Sequence, residues 1–183
     1  RGAIGTGFKA PSLFQLYDNF SGNPELEAEK SLGYDIGIEQ ALFDGLMVID
    51  MTWFYNDIED YIDWVSTGGW SGQYRNAGDI HTQGIETTLG FYPTSSFELL
   101  LGYTYTDTEQ RDDGSSLLKR PLHKGNLDIN FYPYEPVQLT GSLIYVGKRN
   151  DFGDVELNSY TLVNLATSYQ VTDNLKLFGR IDN

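Results

Sequence analysis

The sequence predicts an all-β chain: an antiparallel transmembrane β-barrel segment of about eight long strands. Three observations predict it. Apolar and polar residues alternate with period two along most of the 183 residues, the pattern of strands with two unlike faces. The connections alternate in length, with short turns at 43 to 45, 93 to 96, 133 to 136 and 171 to 174. Longer loops fall at 9 to 30, 65 to 72, 109 to 119 and 149 to 157, so all tight turns lie at one end. Several strands reach about 10 residues, whereas soluble strands average about 5 to 6 and a tilted bilayer crossing takes about 9 to 11.

Taken in order, the chain opens with the end of a strand at Arg1 to Gly7. Gly5, Gly7 and Pro11 then interrupt it, and Gly22-Asn23-Pro24 turns it, which predicts a long structured loop without a regular element. From Ser31 to Leu42 the alternation is strict, with Leu32, Tyr34, Ile36 and Ile38 on one face and Ser31, Gly33, Asp35, Gly37 and Glu39 on the other. Phe43-Asp44-Gly45 is a tight turn. The next strand runs from about Leu46 toward Trp64, and a parity slip near Asn56-Asp57 predicts a β-bulge.

Ser66 to Gly72 reads as a loop and Gln73 to Tyr92 as a third strand. Phe97 to Thr106, the segment around Leu127 to Phe131, Val137 to Tyr145 and Val163 to Tyr169 follow as strands, and a last one carries Leu175, Leu177 and Ile181. Glu109 to Ser116 is polar and loop-like, and Lys148 to Glu156 is a charged loop.

Which face meets which medium follows from composition. The polar face is rich in Ser, Thr, Gly, Asn and Gln, which suits a water-filled or plugged lumen. Tyr55, Trp64, Tyr92, Tyr132, Tyr145 and Tyr169 stand toward strand ends, as an interfacial girdle requires. A soluble sheet shows the same alternation, so a soluble β-sheet carbohydrate binder remains an alternative, as does a passive pore or adhesin barrel.

Net charge −14 with 12 scattered basic residues argues against nucleic acid as a partner. There is no cysteine, hence no disulfide framework or thiolate metal site. No apolar run is long enough for a transmembrane helix, which says nothing about barrels. No catalytic constellation emerges, so the chain does not read as an enzyme, and no cofactor is implied. His81 and His123 stand far apart, outside any metal-ligand spacing. Asp57, Glu59, Asp60 and Asp63, and the pair Asp112-Asp113, lack the spacing of a calcium loop and read as a charged rim.

Ligand-binding candidates are the aromatic and basic residues of the loops and upper strands. Trp64, Trp70, Tyr74 and Phe152 offer flat apolar surfaces for a ring-bearing nutrient, with Arg75 and Arg149 as polar partners. The competing reading assigns Trp64 and Tyr74 to the interfacial belt and the others to ordinary loop surface. Gly33, Gly37 and Gly84 are expected to permit close approach of backbone or plug, and Glu39, Glu86 and Arg180 to lie on polar faces.

Several motifs carry a family resemblance: GTGFKAPSLFQLY, GNPELEAEKS followed by YDIGIEQ, FYNDIEDYID, YRNAGDIHTQGIE, LLKRPLHKGNLDINF and the terminal NLKLFGRIDN. In this order they resemble successive signatures of TonB-dependent outer-membrane receptors and are similar to the cobalamin transporter branch. The resemblance implies a 22-stranded barrel in the bacterial outer membrane, filled by an N-terminal plug. It further implies active uptake of a cobalamin-like or siderophore-like iron chelate, energised by the TonB complex through the plug region. Residues 1–183 would then be part of the barrel domain, with the plug and the final strand absent, and outer-membrane lipid would surround it.

Overall fold

The computed structural model describes residues 1–112, 114–153 and 155–183. Its elements are β1 (Gly2–Lys9), α1 (Leu13–Tyr17), β2 (Glu29–Leu42), β3 (Met47–Glu59), β4 (Ile62–Gly68), β5 (Ser71–Asn76) and β6 (Ile80–Thr94). There follow β7 (Phe97–Gln110), β8 (His123–Tyr134), β9 (Val137–Val146), β10 (Arg149–Asp151), β11 (Val155–Leu157), β12 (Tyr160–Thr172) and β13 (Leu175–Ile181). Nine of the strands form one sheet in the order β1-β2-β3-β6-β7-β8-β9-β12-β13. Successive sheet strands are therefore neighbours, and β4–β5 and β10–β11 are separate hairpins inserted between them.

Accessibility is inverted with respect to a water-soluble protein. Along β2 the polar residues Ser31, Gly33, Asp35 and Gly37 are half-buried, while the apolar residues between them are exposed. Ile36 and Ile38 are each 64% exposed, and Leu165 and Leu177 are 55% and 56% exposed. Among the described residues the buried apolar side chains are Leu26, Ile62, Ile80 and the loop residue Pro121. Burying a Leu or Ile is worth about 1.5–3 kcal/mol, so a sheet that presents this many of them outward is stable only where the outer medium is itself apolar.

The opposite face is polar and hydrogen-bonded. Thr140 Oγ1 donates to Asn130 Oδ1 at 2.9 Å, and Asn126 Nδ2 donates to Asp128 Oδ2 at 3.2 Å. At about 3.3 Å per residue and about 45° tilt, a 14-residue strand such as β2 rises about 33 Å along the membrane normal. That exceeds the apolar band of about 25 Å, so strand ends emerge into water.

The chain divides into two compact units. One comprises Arg1–Ile36, Phe54–Gln83 and Asp107–Leu117, and contains Leu26, Ile62 and Ile80 as a small core beneath the long first loop. The other comprises Gly37–Trp53, Gly84–Thr106 and Leu118–Asn183, and holds most of the spanning strand length together with the tight turns.

Several sequence-based expectations are corrected. The strand expected to end at Gly7 is β1, which runs on to Lys9 and pairs from Gly2 opposite Ile36 to Lys9 opposite Glu29, and the stretch after it, expected to lack a regular element, carries the helix α1. Strand β3 runs on to Glu59 and stops at Asp60, whose φ of 58° breaks the extended backbone. Ile62, beyond this break, opens β4 and is buried, so it does not continue the outer face. Ser66 to Gly72 is the tip of hairpin β4–β5 and not an open loop. The expected third strand is two strands, β5 and β6, separated at Gly78 with φ 99°. Lys148 to Glu156 holds the short hairpin β10–β11, closed by a Lys148–Glu156 ion pair of 2.7 Å; Asp154 lies outside the described residues.

Tyr92 and Tyr132 share the parity of the polar face, whereas the expected Tyr145 and Tyr169, with Trp53, Tyr103 and Phe131, are partly exposed on the apolar side. Gly33 does allow a close approach, but to the Asn56 side chain of this same sheet. The turn at Phe43-Asp44-Gly45 is confirmed, with positive φ at all three residues, as the twist of a tight hairpin demands.

Ile36 lies near the middle of the outward apolar run of β2, so Ile36→Lys is expected to cost about 2–4 kcal/mol of folded stability in lipid. Asp35→Asn, on the opposite face, is expected to be nearly neutral. Denaturant titration of the intact protein refolded into vesicles, read by its heat-modifiable gel mobility, separates the two outcomes.

Candidate ligand-capture surface

The long first loop, residues 10–28, is an ordered structure. Ser12 caps α1, with its Oγ accepting from Gln15 N at 3.2 Å while Gln15 Oε1 accepts from Ser12 N at 2.8 Å. This reciprocal box satisfies donors that a helix this short would otherwise leave open. Past the helix, Asp18 Oδ2 accepts from Phe20 N, Ser21 N and Ser21 Oγ at 3.2, 3.0 and 2.8 Å. The Ser21 hydroxyl holds the Asp18 carboxyl below its ordinary value; desolvation opposes it, and the backbone amides of Phe20, Ser21 and Asn19 add to the lowering. Gly22 closes the turn, because a Cβ there would meet the Asp18 carbonyl oxygen at 2.6 Å.

The loop is latched to hairpin β4–β5. Asn23 Nδ2 donates to Tyr74 O at 3.0 Å, and Tyr74 N donates to Ser21 O at 2.9 Å. Asn76 is the pivot: its Oδ1 accepts from Glu27 N at 3.0 Å, and its Nδ2 donates to Glu27 O at 3.1 Å and to Asp60 O at 2.7 Å. The Phe14 and Tyr74 rings meet edge to face at 6.1 Å. Beneath them the buried Glu29 carboxylate accepts from Lys9 Nζ at 2.8 Å and from Ile62 N at 3.1 Å. Each such bond contributes about 0.5–1.5 kcal/mol net, so together they fix one conformation of loop and hairpin.

Four of the six candidate binding residues share that hairpin. Trp64 pairs across the strands with Tyr74, and Asp63 with Arg75. Trp70 is fully exposed at the tip. The Trp64 ring lies across Gly72, where any Cβ would overlap it. Since β4 and β5 are outside the nine-stranded sheet, Trp64 and Tyr74 do not sit on its spanning strands. Arg149 and Phe152 belong to the second unit. There the Arg149 guanidinium stands 5.4 Å over the Tyr160 ring, and Lys119 Nζ stands 4.8 Å over the Phe152 ring.

The acidic residues read as a charged rim largely have partners. Arg111 Nη2 donates to Asp57 Oδ2 at 2.7 Å, and its pKa is raised first by a hydrogen bond with Tyr55 and then by Asp57. Lys30 lies 3.7 Å from Asp60. His81 Nε2 is 3.4 Å from Glu109, and His123 Nδ1 is 2.8 Å from the Tyr103 hydroxyl. Among the described residues no group of three or more His, Asp or Glu is arranged to hold a metal ion. Asp113, half of the second acidic pair, lies outside them.

Leu13, Phe14, Tyr17 and Phe20 escaped the sequence reading and are all exposed. The signal that could have found them is the box Ser12-Leu13-Phe14-Gln15 opening a helical turn. The i, i+3 and i, i+4 spacing of Phe14 and Leu13 to Tyr17 then puts these side chains on one side of the helix.

A nine-stranded meander with an exposed apolar face, and a first loop latched to the β4–β5 hairpin, is the arrangement on which comparison with known proteins turns. The family described as TonB dependent receptor-like, beta-barrel, matches residues 1–183. The chain belongs to the TonB-dependent receptor family. It is 32% identical over 182 residues to the vitamin B12 transporter BtuB of Vibrio vulnificus, covering 99% of this chain and 29% of that protein. It is 35% identical over 187 residues to the BtuB of Photobacterium profundum, covering 98% of this chain and 30% of that protein. The chain thus spans just under a third of these relatives. The ferric enterobactin receptor PfeA of Pseudomonas aeruginosa matches in fold, with a TM-score of 0.82 at 22% identity, over 100% of this chain and 32% of that one. As a barrel segment of this family, the chain resides in the bacterial outer membrane, and its apolar face meets lipid.

Asn76→Ala removes the two bonds that tie it to Glu27 of the loop and a third to Asp60 O, and is expected to raise amide exchange at Glu27 and Tyr74 by about tenfold or more, equivalent to about 1–3 kcal/mol of local stability. Acid acts through Asp18. Because its folded carboxyl titrates below the ordinary 3.8, its contribution to loop order is complete above that pH and is lost as pH falls through the lower folded value. Asp18→Asn is expected to remove this acid step from amide-exchange profiles of residues 18–23.

Proposed function

We propose that this segment is part of a receptor that takes up a large scarce nutrient, cobalamin-like or siderophore-like, across the outer membrane. The observation that carries the reading is the family match over residues 1–183, in a chain whose first loop and β4–β5 hairpin are locked together. A pore needs only an open lumen, whereas high-affinity capture gains from loops ordered before the ligand arrives, because less entropy is lost on binding. On this reading, water-side aromatics such as Trp64, Trp70 and Tyr74, with Arg75, Arg149 and Phe152 as further contacts, engage the ligand. Energy from the TonB complex, delivered through the plug region, then releases it inward.

The intact receptor is expected to bind cyanocobalamin or a ferric siderophore with submicromolar affinity by calorimetry, and its deletion to abolish uptake of that radiolabelled compound. A cell that keeps the receptor but lacks TonB should show the same loss of uptake with surface binding retained. Unchanged uptake in the receptor deletion contradicts the proposal.

A further inference from the structure

A groove of about 640 Å³ lies in the second unit, where β8, β9, β12 and β13 run side by side. Its shape follows from the register. One row across the sheet reads Ile129, Gly141, Leu165 and Ile181, and the next reads Phe131, Leu139, Thr167 and Gly179. Small residues thus lie on a diagonal between large ones, while the flanking rows, Leu127-Leu143-Val163 and Val137-Tyr169-Leu177, have none. A glycine inside a strand weakens it, and marks a bulge, a bend or the close approach of another group. No bulge is present at either glycine, since these pairings shift register only at Phe131/Tyr134 and Gln170/Thr172. Neither glycine has a positive φ. The chain does not fill the space itself. A Cβ at Gly141 would meet Leu165 at 3.7 Å and one at Gly179 would meet Thr167 at 3.8 Å, both ordinary contacts, whereas Asn56 and Asn126 occupy the space at Gly33 and Gly102.

What fills the groove therefore comes from outside the sheet, and the groove is continuous with the apolar face that meets lipid. Its outward residues are hydrocarbon apart from the Thr167 hydroxyl, and Arg180, the charged residue on its border, is ion-paired with Asp182. Such a lining suits a lipid tail and offers nothing to a headgroup. Depth selects the leaflet. Gly141 and Gly179 each stand four residues in from the turn ends of their strands, Val137 and Leu175, about 9 Å along the membrane normal. Short turns of outer-membrane barrels face the periplasm. We infer that this groove binds one acyl chain of a periplasmic-leaflet phospholipid. Transfer of a chain from bulk lipid to the wall brings no hydrophobic gain, so selectivity comes from van der Waals packing. A flat face touches a chain on one side, whereas floor and walls touch it on three, and an empty groove would forfeit those contacts. The inference is independent of the uptake reading and of the loops that carry it.

The test reconstitutes the intact receptor in vesicles of phosphatidylethanolamine and phosphatidylglycerol, doped with a phosphatidylethanolamine that carries a photoreactive diazirine in one acyl chain. A parallel sample carries the same label in a lipid A acyl chain. Peptides covering residues 129–141 and 165–181 are expected to take up the phospholipid label about fivefold or more above those of β2, the excess that a modest gain in packing gives. Gly141→Leu combined with Gly179→Leu fills the groove and is expected to abolish that excess, whereas Val163→Leu, in a flanking row, leaves it unchanged. Thr167→Leu narrows the groove without touching a glycine, and is expected to lower the excess even if the double variant fails to assemble by its heat-modifiable mobility. Even labelling of β2 and of the groove strands in the wild type overturns the inference, as it would if a neighbouring strand of the intact barrel filled the space. An excess that persists in Thr167→Leu, or in an assembled double variant, overturns it equally, and so does preferential labelling by lipid A.

Discussion

In hydrocarbon an unpaired backbone N–H or C=O costs several kcal/mol, and no water is present to relieve it. This constraint organises the chain. It accounts for the long, nearly unbroken antiparallel pairing, such as β12 against β9 from Tyr160 opposite Val146 to Tyr169 opposite Val137. It also accounts for the placement of the prolines, since proline cannot donate to a ladder: Pro11, Pro24, Pro121 and Pro136 lie in connections, and Pro93 and Pro133 are the next-to-last residues of β6 and β8. Side chains then follow the period of two, apolar toward lipid and polar toward the interior. The result is a sheet whose largest hydrophobic residues are its most exposed.

Where strands leave the apolar band the constraint reverses, because water competes for every polar group and isolated loops lose order. The first unit answers with the ordinary devices of a soluble protein. It has a helix cap, an Asp18 turn, a buried Glu29 satisfied by two donors, and a small core of Leu26, Ile62 and Ile80. Two solvents thus act on one chain, and the residue types change meaning between them. Ile36 exposed on β2 is in its proper medium, whereas Phe20 exposed on the loop is not.

The sheet was largely legible in the sequence because alternation repeats in every strand and the short turns carry Gly, Pro, Asn or Asp. The breaks were less legible. Asp60 adopts a left-handed backbone that no residue type announces as glycine does, and the aromatic alternation of Trp64 and Tyr74 continued the pattern of the flanking strands into a separate hairpin. Helix α1 is too short for a periodic signal, and Pro11 and Gly22 around it suggested irregularity. Of the candidate binding residues, Trp64, Trp70, Tyr74 and Arg75 share a hairpin, but the latch through Asn76 depends on pairing between segments about 49 residues apart, which local pattern does not encode.

The central claim is that the apolar face of this sheet meets lipid. Single spin labels placed at positions 31 to 39 of β2 in the intact receptor, reconstituted in bilayers, test it most directly through their relative accessibility to oxygen and to a water-soluble nickel chelate. The account predicts oxygen-dominated accessibility at 32, 34, 36 and 38, with the reverse at 31, 33, 35 and 37. The same alternation with opposite phase, or none, would contradict it.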